Sequence, residues 1–179
     1  MTSATDTDIA IHRLDAAEAD RRLDELADML VDAVAHGAAV HFLPGVTQDD
    51  GRDFWRAQLG GIGSGDGNLY VAERNGRVIG TVMVFLMPQP NQQHRAEIGK
   101  MLVHSSARRQ GLGRLLLAHA ERQARAAGRT LLMLDTEADG AGHMLYRAGG
   151  WIEYGRVPSH YVRHDGQLGE TSFFYKLLG

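Results

Sequence analysis

The sequence predicts one α/β domain, built on a mixed and mostly antiparallel sheet with helices on both faces. Three observations predict it: the length of 179 residues, the order of the hydrophobic periods, and a basic glycine-containing turn between a strand and a helix. A chain of this length usually forms one domain and buries roughly 70% of its extended surface. We therefore expect a single domain over residues 1–179, with a flexible segment at residues 1–8.

The composition excludes several classes of protein. The chain has no cysteine, which rules out a disulfide scaffold, a thiolate zinc site and a cysteine nucleophile. Its formal net charge of -3 lacks the basic excess of a nucleic-acid binder. The first residues lack a signal-peptide pattern, and the longest apolar run, residues 78–87, is about half of the roughly 20 residues that a membrane span needs. We expect a cytoplasmic protein that binds neither nucleic acid nor a membrane.

Histidine spacing does not predict a metal site. His160 and His164 have the spacing of helical ligands, but they follow Pro158 and precede an Asp-Gly pair. That context predicts a loop or a strand, in which the spacing loses its meaning. We expect no bound metal.

The first half of the chain changes from a strand period to a helix period. Residues 9–14 alternate apolar and polar side chains, as in a half-buried strand. Residues 15–34 then repeat apolar side chains at three- and four-residue steps, which predicts a helix. A capping-box pattern at Thr47 predicts a second helix through Leu59, and the glycine-rich residues 60–67 predict a loop.

The second half of the chain predicts a hairpin and then alternating strands and helices. The pair Asn75–Gly76 is best suited to a type I′ turn. The flanking apolar runs predict the order of the elements. They predict strands at 69–74, 77–87 and 95–103, a helix at 112–127 closed by Gly128, a strand at 130–134, a helix at 140–149, and strands at 151–154 and 171–177 around a loop with Pro158.

The most informative segment is the turn that runs from Arg108 to Arg114, between a strand and a helix. A helix start presents unpaired N–H groups and a partial positive charge, which attract phosphate. Gly111 and Gly113 would let the backbone approach a pyrophosphate closely, and Arg109 adds positive charge. The alternative is a plain connection with solvated arginines, and the three arginines around the glycines favour phosphate binding.

Two motifs in this half of the chain match a known signature. The first is Arg108-x-x-Gly111-x-Gly113, and the second is Leu-Tyr-Arg-Ala-Gly-Gly-Trp at residues 145–151. Together they resemble the GNAT superfamily of N-acetyltransferases, within a matching element order that covers nearly the whole chain. Three further segments resemble the tabtoxin resistance protein group of that superfamily, at residues 94–97, 106–108 and 134–138.

The resemblance implies a splayed sheet, in which the strands at residues 95–103 and 130–135 part to admit acetyl-CoA as the acetyl donor. Backbone groups of Met101 and Val103 would pair with the pantetheine arm as a surrogate strand. The pyrophosphate would be held by the N–H groups of Arg108, Arg109, Gln110, Gly111, Leu112, Gly113 and Arg114.

The sequence departs from the family pattern at three positions. Ser105 stands where proline is common, and Arg109 stands where glycine is common. Asp139 occupies the usual asparagine position, seven residues before the tyrosine of the second motif. Asp139 is therefore the candidate for a polar cofactor contact, with a carboxylate in place of an amide.

Acetyl transfer to an amine requires a deprotonated amine, donors for an oxyanion and an acid for the departing thiolate. The resemblance implies that Tyr146 is the acid, although its residue pattern alone favours a core tyrosine. The backbone N–H of Leu102 or Val103 could serve the oxyanion. Glu97 and Asp135, at the ends of neighbouring strands, are the candidate bases, with Glu137 as a third, and a base that acts through water is an alternative. Either carboxylate could instead be a solvated strand end.

The leading hypothesis is an acetyl-CoA-dependent N-acetyltransferase that acts directly on the amino group of a small molecule. The resemblance suggests an amino-acid-like or β-lactam antimetabolite, and hence toxin or antibiotic resistance. The alternatives are an aminoglycoside or polyamine acetyltransferase, a protein N-terminal acetyltransferase, and a non-catalytic acyl-CoA-binding regulator. The apolar link at residues 38–43 is a candidate cover for the acceptor site, and pairing into a homodimer stays open.

Overall fold

The computed structural model describes residues 9–179 as a seven-stranded sheet with helices on both faces. The strands are β1 (Ala10–Leu14), β2 (Gly67–Arg74), β3 (Arg77–Leu86), β4 (Arg95–Val103), β5 (Leu131–Glu137), β6 (Ile152–Val162) and β7 (Leu168–Leu177). The helices are α1 (Ala16–Arg21), α2 (Leu23–Ala35), α3 (Gln48–Ser64), α4 (Leu112–Ala126) and α5 (Ala141–Ala148). The strand order is β1-β2-β3-β4-β5-β7-β6, and the pairs are antiparallel except for β4 with β5. The predicted fold class is confirmed, whereas the flexibility expected for residues 1–8 lies outside the described residues.

The first predicted helix is two helices, because the chain breaks at Arg22. Asp15 caps α1 through a reciprocal pair of hydrogen bonds with Glu18. The Arg22 guanidinium then bonds to Glu25 in α2 and to Glu73 in β2. These contacts fix the break against the sheet.

The loop predicted at residues 60–67 is wrong, because α3 continues past Leu59 and ends only before Gly65. The predicted capping box at Thr47 is confirmed. Ile62 is 2% exposed and packs in the core, so its burial outweighs the weak helix propensity of the flanking glycines. Gly65 then ends the helix in a left-handed conformation, with a φ of 83°.

The two predicted turns in the sheet have different outcomes. Asn75 and Gly76 both have positive φ angles, as a type I′ turn requires, so the predicted hairpin is confirmed. The loop predicted around Pro158 is wrong, since β6 extends through it. This strand lies at the edge of the sheet, and its register with β7 shifts between Val157 and Tyr161. An edge position with irregular pairing tolerates a residue that lacks an N–H donor.

The sheet separates two hydrophobic cores. Leu116 and Phe174 belong to the core beneath α4 and α5, and Leu30 and Trp55 belong to the core beneath α1, α2 and α3. Helix α4 lies very close to β3, because a Cβ atom at Gly80 would stand 2.8 Å from Leu116 Cδ1. This close packing fixes where α4 begins. No helix within residues 9–179 combines the length and the apolar character needed to cross a membrane.

Strands β4 and β5 run parallel but are paired only at their starts. The last registered pair is Glu97 with Met133, although both strands continue beyond it. Just past this point β4 bulges, since its register with β3 shifts and Lys100 has a φ of 46°. The two strands therefore separate toward their C-terminal ends, as the resemblance implies.

Candidate active site

A cleft of about 740 Å³ opens where β4 and β5 separate. Its walls are the end of β4, the turn before α4, the end of β5, the start of α5 and part of the link after α2. The predicted cofactor residues that line the cleft are Met101, Leu102, Val103, Arg108, Arg109, Gly111, Leu112, Gly113 and Arg114. Link residues 36–40 also line it.

Two helices begin at this cleft without a side-chain cap. Helix α4 follows Gly111 and helix α5 follows Gly140, and neither glycine can cap the first N–H groups. In contrast, α1 and α3 each begin with a capping box. The first N–H groups of α4 and α5 are therefore free of side-chain partners, and both helix dipoles direct positive charge at one cleft. This arrangement suits a ligand that carries phosphate groups.

The glycines of the turn meet two different structural demands. Gly111 has a φ of 81° and open space around it, so glycine is favoured there by the left-handed backbone conformation and not by a close contact. A Cβ atom at Gly113 would lie 3.3 Å from Leu145 Cδ2, so this glycine permits the close approach of α4 and α5. Arg108 Nε donates to the carbonyl oxygen of Val103 at 3.2 Å, which ties the turn to the end of β4.

Gln110 and Asp139, which the sequence also assigns to the cofactor, do not line the cleft. The Gln110 side chain accepts a hydrogen bond from Arg74 at 2.9 Å. The Asp139 carboxylate is exposed and pairs with Arg156 at 3.1 and 3.2 Å. These contacts hold both side chains outside the cleft wall, and their cofactor roles stay predictions.

Tyr146 lines the cleft from α5, and its ring packs near Trp151 and Phe174. Burial, and to a lesser extent the charge of Asp135, raises the pKa of Tyr146 far above its ordinary value. The phenol therefore keeps its proton at neutral pH. Chemically, this side chain can donate a hydrogen bond or a proton into the cleft.

The two candidate bases have different surroundings. Glu97 and Asp135 lie on one face of the sheet, because Glu97 is in register with Met133 and Asp135 is two residues further along β5. The Glu97 carboxylate accepts a hydrogen bond from Arg95 at 2.5 Å. Asp135 is exposed and contributes to the pKa values of groups around the cleft mouth. Asp135 acts on the pKa of Tyr146 through its charge, and Glu97 pairs with Arg95, but neither carboxylate lines the cleft.

Sequence reasoning missed most of the second wall of the cleft, at Thr136 and residues 140–142, and considered Glu137, which also lines it, only as a third candidate base. A signal for this wall was available, because Gly140 and Gly142 stand at the start of α5 with the same spacing that Gly111 and Gly113 have at the start of α4.

The remaining missed residue is Lys100, which directly precedes the cleft residue Met101 on β4. Its Nζ atom lies 3.2 Å from His41 Nδ1 and 5.2 Å from the centroid of the Phe54 ring. Nothing local in the sequence marks this contact, since His41 and Lys100 are 59 positions apart. The link that carries His41 is next to the cleft wall, as expected for a cover of the acceptor site.

Comparison with known proteins identifies the family. The model of the acetyltransferase (GNAT) family matches residues 31–149, well over half of the chain. The chain belongs to the GNAT acetyltransferase family. It is accordingly an acyltransferase that uses acetyl-CoA.

Solved structures of other GNAT proteins share the fold over nearly the whole chain. An N-acetyltransferase from Staphylococcus aureus Mu50 has 19% identity and a TM-score of 0.79, covering 97% of this chain and 100% of its own. A ribosomal-protein-alanine N-acetyltransferase from Brucella melitensis has 25% identity and a TM-score of 0.74, covering 94% and 99%. The yncA protein from Salmonella typhimurium, solved with its cofactor acetyl-CoA, has 22% identity and a TM-score of 0.76, covering 97% and 95%.

The cleft of this GNAT protein fits acetyl-CoA. The uncapped starts of α4 and α5, together with the arginines Arg108, Arg109 and Arg114, match the charge of a pyrophosphate. Beyond the bulge at Lys100, the end of β4 has no registered partner on β5 and can pair with an extended ligand.

Proposed function

We propose that this GNAT protein transfers an acetyl group directly to the amino group of a small molecule, an amino-acid-like or β-lactam antimetabolite. Direct transfer is favoured because the chain has no cysteine that could form an acetyl-enzyme. The acceptor class is supported by the resemblance of three short segments to the tabtoxin resistance group. Acetylation would neutralise the amine of such a compound and so protect the cell.

The observation that carries the proposal is the position of Tyr146, which lines the cleft together with the two uncapped helix starts. Acetyl-CoA supplies an acetyl thioester, so transfer forms a C–N bond and breaks a C–S bond. Tyr146 donates its phenolic proton to the departing sulfur. The backbone N–H of Leu102 or Val103 stabilises the negative charge on the carbonyl oxygen.

A carboxylate accepts the proton that the amine loses. Of the two candidates we favour Asp135, because it lies beyond the last registered pair of β4 and β5 and is exposed, whereas Glu97 lies within that pair and binds Arg95. Because Asp135 is exposed, a water molecule can relay this proton to it. Its negative charge also attracts a protonated amine to the cleft mouth.

A second candidate function is acetylation of a protein N terminus. It is favoured by the likeness to the ribosomal-protein-alanine N-acetyltransferase from Brucella melitensis, at 25% identity. Such an acceptor is an amine attached to a peptide, so a peptide with N-terminal alanine represents it in an assay.

The test is CoA thiol release with a panel of amines. The panel contains amino acids and antimetabolite amino acids, an aminoglycoside, spermidine and a peptide with N-terminal alanine. The protein contributes no thiol, so the whole signal comes from CoA. We expect the amino-acid-like amines to give the fastest release. Binding of acetyl-CoA without release above the hydrolysis rate for any amine would instead indicate a non-catalytic acyl-CoA-binding regulator.

A further inference from the structure

Lys100 presents an ammonium group beside the cleft that has no anionic partner among residues 9–179. Its contacts are a hydrogen bond to His41 Nδ1 at 3.2 Å and the face of the Phe54 ring. The positive charge of Lys100, and then burial, lowers the pKa of His41, so the imidazole is neutral and accepts this hydrogen bond. Neither contact neutralises the charge of Lys100.

The other lysine of the chain shows the arrangement that a structural lysine has. Lys176 Nζ donates to the Glu121 carboxylate at 2.8 Å and to the Gly149 carbonyl oxygen at 2.8 Å. Lys100 is also partly withdrawn from water, and this burial lowers its pKa, while the charge of Asp135 raises it by a smaller amount. A desolvated cation is stabilised when an anion binds directly to it.

Lys100 lies on β4 next to a residue that lines the cleft, opposite the strand that carries Asp135. Lys100 directly precedes Met101 on β4, and Asp135 directly precedes Thr136 on β5, and both of these neighbours line the cleft. A positive and a negative group therefore stand on the two separating strands. The two groups form no ion pair within residues 9–179, so each can attract the opposite charge of a ligand that carries both.

The backbone around this pair is held in an unusual conformation. Lys100 has a φ of 46° and His41 a φ of 71°, and neither residue is a glycine. Residues in the left-handed region cluster at ligand sites, where the surrounding structure holds them in place. The two members of the Lys100–His41 contact thus share a backbone conformation that the surrounding structure must hold in place.

We propose that Lys100, oriented by His41, binds the carboxylate of the acceptor while Asp135 attracts its amino group. The acceptor is then an amino acid or a close analogue with a free carboxylate. This inference rests on the proposed function and narrows its substrate class. Polyamines, aminoglycosides and peptide N termini lack a carboxylate at that position and bind less well.

The test compares amino acids with their matched carboxamides. L-alanine, L-phenylalanine and L-glutamate, and the α-carboxamide of each, are assayed by CoA thiol release with the wild-type protein and with Lys100→Met and Lys100→Arg. We expect the wild type to prefer the free acids. Lys100→Met should raise KM for the acids about 10- to 100-fold, the size of one charged hydrogen bond, and change kcat/KM for the carboxamides less than about twofold. Lys100→Arg should restore part of the preference because it keeps the charge.

Arg56→Met is the matched control, because it removes one positive charge from an exposed position on α3. It should leave the preference unchanged, and acetyl-CoA affinity should stay equal in all variants. Equal losses for acids and carboxamides in Lys100→Met would overturn the inference. A wild type that acetylates carboxamides or spermidine as readily as amino acids also overturns it, but leaves the proposed function standing. A protein that acetylates no amine overturns both.

Discussion

Tyr146, the proposed general acid, has a structural counterpart in Tyr70. Both are buried to the same degree, with 7% exposure. Tyr70 lies on β2, away from the cleft, and Tyr146 lines the cleft. Burial raises the pKa of both phenols, so the raised pKa alone does not distinguish them. The two tyrosines are distinguished by their position, because only Tyr146 lines the cleft.

We predict that Tyr146→Phe lowers kcat by about 10²-fold, because it removes a general acid. Acetyl-CoA affinity should be almost unchanged, since the ring and its packing remain. Steady-state rates and isothermal titration calorimetry measure the two effects. Tyr70→Phe is the control and should keep the wild-type rate. An unaffected rate in Tyr146→Phe would return this tyrosine to a structural role.

Asp32 on α2 binds Ser105, which lies just before the turn at residues 108–114. Its carboxylate accepts hydrogen bonds from the Ser105 N–H at 2.7 Å and the Ser105 hydroxyl at 2.6 Å. This contact uses the Ser105 N–H, which a proline at this position would lack. Burial alone would raise the pKa of Asp32, but the bonds from Ser105 and the nearby His104 and His36 lower it overall.

We predict that Asp32→Asn lowers the free energy of unfolding by about 1–3 kcal/mol at neutral pH, the size of hydrogen bonds to a charged group. A lowered folded-state pKa stabilises the protein above the ordinary aspartate pKa and loses this effect as the pH falls through the folded value. The gap between wild type and variant should therefore close in acid. Urea unfolding across this pH range measures it.

The matched control is Asp53→Asn, which removes an exposed carboxylate paired only with Arg56 on α3. Its effect should stay below about 0.5 kcal/mol. If both variants lose stability equally, the contact with Ser105 is not the cause.

The two ends of helix α4 have similar glycines but different surroundings. Its start at Gly111 faces the cleft, and its end is closed by Gly128, which has a φ of 76°. A Cβ atom at either glycine would meet no atom within 4 Å. Both positions therefore require a left-handed backbone conformation, but only Gly111 lines the cleft.

We predict that Gly111→Asp weakens acetyl-CoA binding by at least about tenfold, because it places a negative charge at the phosphate site. Gly128→Asp adds the same charge and the same left-handed strain at the other end of α4, and it should keep the wild-type affinity. Calorimetric titration of both variants, with circular dichroism to verify folding, measures this contrast. Equal affinities would contradict the phosphate-binding role of the turn.

The elements that sequence could predict are those with local signals. The bounds of β4 and the ends of α4 agree with the prediction, because a period change and the glycines at 111 and 128 mark them. The extension of α3 depends on the burial of Ile62, which only the folded core determines. The turn at residues 108–114 could be predicted because its glycines and arginines form a local pattern. The Lys100–His41 contact could not, because it joins residues that are 59 positions apart.

The cleft lies where the two halves of one sheet separate, although both halves contribute side chains to the same hydrophobic core. Pairing between β4 and β5 ends at Glu97 and Met133, so the halves beyond this point are joined by few direct bonds. A ligand that spans the opening contacts both halves at once. Binding to the folded state alone then stabilises the whole fold by mass action.

We predict that acetyl-CoA at 100 times its Kd raises the free energy of unfolding by about 2.7 kcal/mol and raises Tm by several degrees. Adenosine, which lacks the diphosphate and the pantetheine arm, is the control and should give little shift. Differential scanning calorimetry measures both. A Tm that does not respond to millimolar acetyl-CoA would contradict the assignment of the cleft.

The irregular edge strand β6 also affects how the molecule behaves among its neighbours. Its register with β7 shifts between Glu153 and Gly155 and again between Val157 and Tyr161. These breaks divide the exposed backbone edge into short pieces, with Pro158 between two of them. A second chain adding to this edge would meet mismatched donors and acceptors every few residues, so runaway strand addition is disfavoured. The exposed apolar side chains on β6 can therefore remain at the surface with little risk of aggregation.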